Sequence, residues 1–325
     1  MRTARATSAD TLEGGGPAAK ARRSPPLSWP RAVGCPMTRA VAVGPAMQFV
    51  QAHGKPFDRA MLQVLLAEDL GDEGLAALTE PQNPDGGFRV LDLSSPASVV
   101  GRTAEMLTYL IAVGAEEYGA AQAAADFLIE RQRPDGTWSE DEGLRQASPP
   151  PHFMPGSPLV TAWETAATVV ALAGMGLPLD FRPPLEFLRA NCVRPSSPRA
   201  FRLEVLLLYS AFRRLEGDAS PTTNELHKEL EALPAPNLEV FELNWGTFAF
   251  HLAGLDPKRG LLRDFGGALA AKQRPDGSFG SGPQGSPLET VLALCALEHA
   301  GIVKLQRKER AVAQEPDPAD SARTI

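Results

Sequence analysis

Residues 80–90, 130–140 and 272–282 read EPQNPDGGFRV, ERQRPDGTWSE and KQRPDGSFGSG. Each sets a glutamine before a Pro-Asp-Gly turn and an aromatic residue two positions after the glycine: Gln82 with Phe88, Gln132 with Trp138, Gln273 with Phe279. An Asp-Gly pair alone reverses a chain. The surplus residues therefore mark a repeating unit, and a repeat constrains the fold more than any single element does.

Helical patterns flank each turn. YGAAQAAADFLIERQ precedes the second, and SPLETVLALCALEHAG follows the third. Proline just past the glutamine stops the first helix, and Ser286-Pro287 supplies an N-cap and a first-turn proline for the second. Three further segments lack the turn but share the apolar second helix and its closing glycine: FDRAMLQVLLAEDLG, RLEVLLLYSAFRRLEG and FELNWGTFAFHLAG. The residues opening the six apolar helices are Arg59, Arg102, Glu164, Glu204, Glu242 and Glu289, spaced 43, 62, 40, 38 and 47 apart. Six helix pairs of this period predict a closed all-α ring, an (α/α)6 toroid, with the apolar helices inside. Inner helices are expected to start near residues 58, 101, 161, 202, 241 and 287.

Composition narrows the remaining classes. The chain has 325 residues, of which 43% are hydrophobic, enough for a full core. Its apolar runs are too short to cross a bilayer, which leaves only peripheral membrane contact open. Cys35, Cys192 and Cys295 lie far apart, as in a reducing, cytoplasmic setting without disulfides. Residues 1–45 hold seven basic residues against Asp10 and Glu13, so the rest of the chain is more acidic than the net charge of -7. An acidic body argues against nucleic acid as a partner. Residues 1–44 read as a disordered leader, 45–302 as the toroid and 303–325 as a flexible tail.

The Gln-x-x-Asp-Gly-x-Trp/Phe turns resemble the QW motifs of the prenyltransferase and squalene oxidase repeat superfamily, over about residues 45–301. That family includes squalene-hopene cyclases, class II diterpene cyclases and protein prenyltransferase β subunits. The resemblance implies an (α/α)6 toroid around an apolar cavity for an isoprenoid, with Gln82, Gln132, Gln273 and the three aromatics tying hairpins together. It also implies where chemistry would sit. Class II cyclases protonate an alkene with the third residue of a DxDD motif ahead of Thr-Ala on an inner helix. TAWETA puts Trp163 at that position and Glu164 at the next, while GRTAE puts Gly101 there. Across the six helices the column reads Asp58, Gly101, Trp163, Leu203, Phe241 and Leu288, so only Asp58 is acidic. Protein prenyltransferase zinc would need a histidine where Glu289 stands. Cys295 and His299, at i and i+4, with His251 one repeat back, form a weaker metal arrangement that plain packing explains as well. Asp69 and Asp72 in EDLGDE read as a solvated turn.

On this resemblance the leading function is an isoprenoid-handling protein, cyclase-like or prenyltransferase-like. Its candidate catalytic residues are Glu164 as acid or base, Trp163 for cation-π stabilisation and Asp58. The candidate substrate-binding residues are Arg59, Arg102 and Glu289. No metal or cofactor is required, although a diphosphate substrate would bring magnesium. The alternative is a toroid that has lost catalysis and binds or scaffolds. The charged column has bland readings too. Ser286 with Glu289 and Thr161 with Glu164 match capping boxes, and ring closure pairs Arg59 with Glu289 and sets Arg102 beside Glu164. Finally, SEDEGLRQASPPPHFMPGSPLV lengthens one spacing to 62. It reads as a rim lid or partner loop, with Glu140, Asp141, Glu142 and His152 as a lesser cation site.

Overall fold

Serine-proline pairs and closing glycines set the boundaries of the helices. A computed structural model describes residues 40–90, 96–193, 202–257 and 260–307; the expected leader and tail, apart from residues 40–44 and 303–307, lie outside these. The helices are α1 (Val43–His53), α2 (Pro56–Leu65), α3 (Gly71–Thr79), α4 (Val100–Val113), α5 (Gly119–Glu130), α6 (Pro158–Gly174), α7 (Arg182–Cys192), α8 (Arg202–Glu216), α9 (Pro221–Glu231), α10 (Val240–Leu252), α11 (Gly260–Ala270) and α12 (Pro287–His299). Proline occupies the first turn of α2, α6, α7, α9 and α12, where a missing N–H costs nothing. Among the described residues no strand extends beyond an isolated bridge.

The even-numbered helices form a closed ring. α2 packs on α4, α4 on α6, α6 on α8, α8 on α10, α10 on α12, and α12 returns to α2. The odd-numbered helices lie outside, each chiefly against the inner helix that precedes it: α3 on α2, α5 on α4, α7 on α6, α9 on α8 and α11 on α10. α1 completes the set by covering α12. This is the (α/α)6 toroid. Burial follows the same division: thirteen residues of α6 are buried, against four of α7. Inner helices start at residues 56, 100, 158, 202, 240 and 287, within three of the expected positions. The largest discrepancy is α6. Ser157-Pro158 starts it one turn earlier than Thr161, so Thr161 and Glu164 lie inside the helix and form no capping box.

Two boundaries of the expected domain fall inside ordered structure. α1 begins at Val43, and Leu305 is buried with its N–H donated to Glu298 Oε1. No helix is long and apolar enough to cross a membrane among the described residues.

Candidate functional site

The three turns hold the inner helix N-termini in register. In each, the aspartate Oδ1 accepts the N–H two residues on, from Gly87, Thr137 and Ser278. The glycine that follows adopts positive φ: +84° at Gly86, +82° at Gly136 and +88° at Gly277. Each glycine is pressed against the next outer helix, at Ala123 in α5, Pro183 and Pro184 in α7, and Pro45 and Ala46 in α1. The glutamines close the same joints. Gln82 Nε2 donates to the carbonyls of Gly86 and Ala120, and Gln273 Nε2 to those of Gly277 and Ala42.

The aromatic residues Phe88, Trp138 and Phe279 are at most 1% exposed. Their backbone N–H groups donate to Thr103, Thr165 and Thr290 Oγ1 at 2.8, 3.1 and 2.9 Å. These threonines each follow a residue of the charged column, and that regularity was legible in GRTAE, WETAA and LETVL although its role was not. Two column carboxylates serve the same joints. Glu289 accepts from Ser281 N, and Glu164 Oε2 accepts from Glu140 N, in both cases two residues past the aromatic.

Glu164 has a second carboxyl for company. Glu140 is 2% exposed and Glu164 is fully buried. Glu140 accepts the N–H groups of Val100 and Gly101 at 2.9 Å each, so its carboxylate caps the N-terminus of α4. Burial and the neighbouring Glu140 charge hold the Glu164 pKa well above the usual carboxylate range, which favours its protonated form. Its Oε1 makes no hydrogen bond. The rest of the inserted loop is structural as well. Asp141 caps the short 3-10 turn Glu142–Ala147, Glu142 pairs with Arg145, and Phe153 packs edge-on against Trp163 at 6.0 Å. Trp163 in turn lies on Gly101, where any Cβ would meet its ring at 2.5 Å. The loop thus covers one side of the rim and gathers no cation site.

The ring's cavity opens where α4, α10 and α12 begin. It measures about 220 Å³ and is lined by Arg102, Glu105, Tyr109, Phe241, Asn244, Leu288, Glu289 and Leu292. Arg102 donates to Glu105 Oε2 at 2.6 Å, and Tyr109 Oη donates to Glu105 Oε1 at 2.7 Å. The Arg102 guanidinium and the Tyr109 hydroxyl outweigh burial and hold the Glu105 carboxyl below its ordinary pKa. Asn244 is 1% exposed; its Nδ2 donates to the Glu289 carbonyl at 3.4 Å, and its Oδ1 makes no hydrogen bond. Burial raises the Glu289 carboxyl pKa.

Below this mouth the axis is filled. α4 reaches across the ring to α10 and α12. Tyr109 meets Trp245 and Phe248 edge-on at 5.8 and 6.1 Å, and Phe248 meets His299 at 6.4 Å. At the far end His251 stacks on His299 at 3.6 Å, while Cys295 Sγ and His299 Nε2 both contact the Ala112 carbonyl. Desolvation lowers the His251 pKa to about 4 and raises that of the Cys295 thiol. The His299 imidazole and the Cys295 thiol share one carbonyl, and His251 packs on His299. Among the described residues no three His, Cys, Asp or Glu side chains gather to hold a metal ion.

The sequence candidates scatter accordingly. Arg102 and Glu289 share the cavity. Arg59 is exposed on α2, where its charge acts on the neighbouring Asp58 carboxyl. The pairing of Arg59 with Glu289 does not form, because the Glu289 carboxylate takes Ser281 instead, and Arg102 pairs with Glu105 rather than standing beside Glu164. Asp58 caps α2 through the Lys55 N–H at 2.9 Å. Trp163 and Glu164 lie under the inserted loop, outside the cavity lining. Glu105, Tyr109 and Asn244 complete the mouth and were not anticipated. Glu105 and Tyr109 follow Arg102 at helical spacing, which is the signal that would have found them.

Fold and site thus define an (α/α)6 toroid with a polar mouth and a filled axis. Among solved structures it is similar to type II terpene cyclase MstE from Scytonema in its apo form, at 17% identity and a TM-score of 0.49, covering 80% of this chain and 98% of that one. The same enzyme as its R337A variant with geranylgeranyl dihydroxybenzoate matches at 16% identity and 0.46, covering 76% and 87%. A protein from Actinoplanes matches at 19% and 0.44, covering 76% and 90%. No protein-family model and no curated protein matches the chain.

Proposed function

We propose that the protein is a ligand-binding toroid that holds a short isoprenoid in the mouth formed by α4, α10 and α12, and that it does not initiate class II cyclisation. The observation carrying this reading is the state of the acids. Two carboxyl residues line the cavity: Glu105 is paired with Arg102 and Tyr109 and is an anion, and Glu289 accepts the Ser281 N–H of the neighbouring turn. Alkene protonation needs a strong acid that holds its proton until the substrate arrives. Glu164, whose protonated form burial favours, is sealed beneath the loop. Phe241 and Leu288, which occupy the acid column of α10 and α12, offer apolar walls instead. The volume, about 220 Å³, falls below the roughly 300–1,000 Å³ of ordinary ligand pockets. It suits a short prenyl unit better than a squalene-length chain. The isoprenoid part of the reading rests on the resemblance of the turns together with these apolar walls.

The test has two readouts. Incubation with farnesyl diphosphate, geranylgeranyl diphosphate and squalene, followed by mass spectrometry, is expected to return each substrate unchanged; a cyclised or transferred product would overturn the non-catalytic reading. Geraniol is expected to bind saturably and to raise the melting temperature, by mass action equivalent to about 2.7 kcal/mol at a hundredfold excess over its Kd. Absence of saturable binding by any short prenyl compound would overturn the isoprenoid reading.

A further inference from the structure

We infer that the inserted loop, residues 140–157, is a lid on the α4 side of the ring's mouth, latched by the Glu140–Glu164 carboxyl pair and released when both carboxyls ionise. The latch is one residue with three attachments. The Glu140 carboxylate accepts the Val100 and Gly101 N–H groups of α4, while its own N–H donates to Glu164 Oε2 on α6. Beyond it the loop is braced internally: Asp141 accepts the Gly143 N–H, and Arg145 donates to Glu142 Oε2 and to the Pro155 carbonyl. The braced unit rests on the wall of the mouth. Phe153 packs on Trp163 beside Gly101, and His152 stands near enough to Glu105 for that carboxylate to act on its charge. Two carboxylates in one dry site repel. Glu140 has the two α4 amides to hold its charge, whereas Glu164 Oε1 has no donor. Arg131 acts on Glu140 and Arg133 on Glu164, both from exposed positions after α5, and Arg102 on α4 is engaged by Glu105. Burial, then the Glu140 charge, raises the Glu164 pKa. Glu164 is fixed inside α6, so the relief left on ionisation is departure of Glu140 with the loop, which lets water reach both groups. The open lid exposes a carboxylate rather than an acid, so it regulates access without supplying alkene protonation.

Hydrogen exchange of the full chain tests the latch, followed by NMR at the Val100, Gly101 and Glu140 amides from pH 4 to 8 and corrected for the intrinsic pH dependence of exchange. These three amides lose their acceptors when the lid leaves, and their protection reports the opening equilibrium. Opening that releases one proton grows up to tenfold per pH unit between the ordinary glutamate pKa, about 4.3, and the raised folded value. Protection at the three amides is therefore expected to fall about tenfold or more over the range, while Leu294 in α12 keeps its own. Glu164→Gln leaves an oxygen for the Glu140 N–H and never ionises, so protection in that variant is expected to stay level. Level protection in the wild type would overturn the latch. So would an equal fall in Glu164→Gln, or a fall shared by Leu294, which would report loosening of the whole ring. If the variant folds poorly, the wild-type comparison with Leu294 decides alone. None of these readouts uses a ligand, so the latch stands or falls separately from the isoprenoid reading.

Discussion

Gly277→Ala is expected to destabilise the protein by about 3 kcal/mol or more, although it adds a single methyl group. Two costs combine. At φ +88° a non-glycine residue carries roughly 1–2 kcal/mol of backbone strain. The new Cβ would also stand 2.6 Å from Ala46 N and from the Pro45 carbonyl carbon. Those are backbone atoms at the start of α1, so relief requires moving a helix rather than a side chain. Gly267→Ala in α11 is the control, because nothing lies within 4 Å of its Cβ position. There the expected change is a gain of up to about 1 kcal/mol from helix propensity. Urea unfolding of both variants measures the difference. Equal stabilities would show that the turn tolerates a side chain and that its glycine is incidental.

The buried glutamates give the second large effect. Glu140→Ala strips two charge-assisted hydrogen bonds from the first amides of α4 and should cost about 3–6 kcal/mol, at roughly 1.5–3 kcal/mol for each such bond. Glu164→Gln should act in the opposite sense and depend on pH. The folded pKa of Glu164 lies above its unfolded value, so the stability it contributes is complete below about pH 4.3 and is lost as pH rises through the folded pKa. Glutamine keeps an oxygen for the Glu140 N–H and never ionises. The variant should therefore match wild type near pH 4 and exceed it increasingly toward pH 8, as read by thermal melts across that range. A pH-independent difference, or a loss at pH 8, would show that Glu164 is ionised in the folded protein.

These residues also show where sequence reading succeeds. The ring was legible because its signals are local and repeated. A proline start, a closing glycine and an Asp-Gly turn each act within a few residues of themselves. α6 was misplaced by one turn because Thr161-x-x-Glu164 imitates a capping box, while the working signal, Ser157-Pro158, sits just ahead of it. The threonine column was visible as letters only. Thr165 meets Trp138 across 27 positions, a separation no local pattern encodes. Two of the eight residues lining the mouth, Arg102 and Glu289, were named in advance as binding residues. Asn244 depends on what α10 brings to α4, and it looks like any polar residue in an apolar helix. The filled axis was beyond reach for a related reason: whether a ring encloses space depends on the summed volumes of side chains such as Tyr109, Trp245 and Phe248, contributed from separate helices.

Gln273 joins the last turn to the first helix, bonding both the N–H and the carbonyl of Ala42 across 231 positions. A ring clasped in this way cannot be completed while it is being synthesised: until α11 and its turn emerge, α1 lacks the backbone partner that Gln273 supplies, and α12 is not yet there for it to cover. The seam is also the joint with the largest sequence separation, so its closure carries the greatest loop entropy and is expected to form late. Order of synthesis and order of assembly are therefore tied together at one residue. A circular permutant that opens the chain between α8 and α9, while linking the present ends, would shorten the Gln273–Ala42 separation from 231 positions to 94, that is 325 − 273 + 42. It should refold faster than the natural order without altering any turn, and stopped-flow refolding of the two connectivities would measure how much of the barrier that single seam supplies.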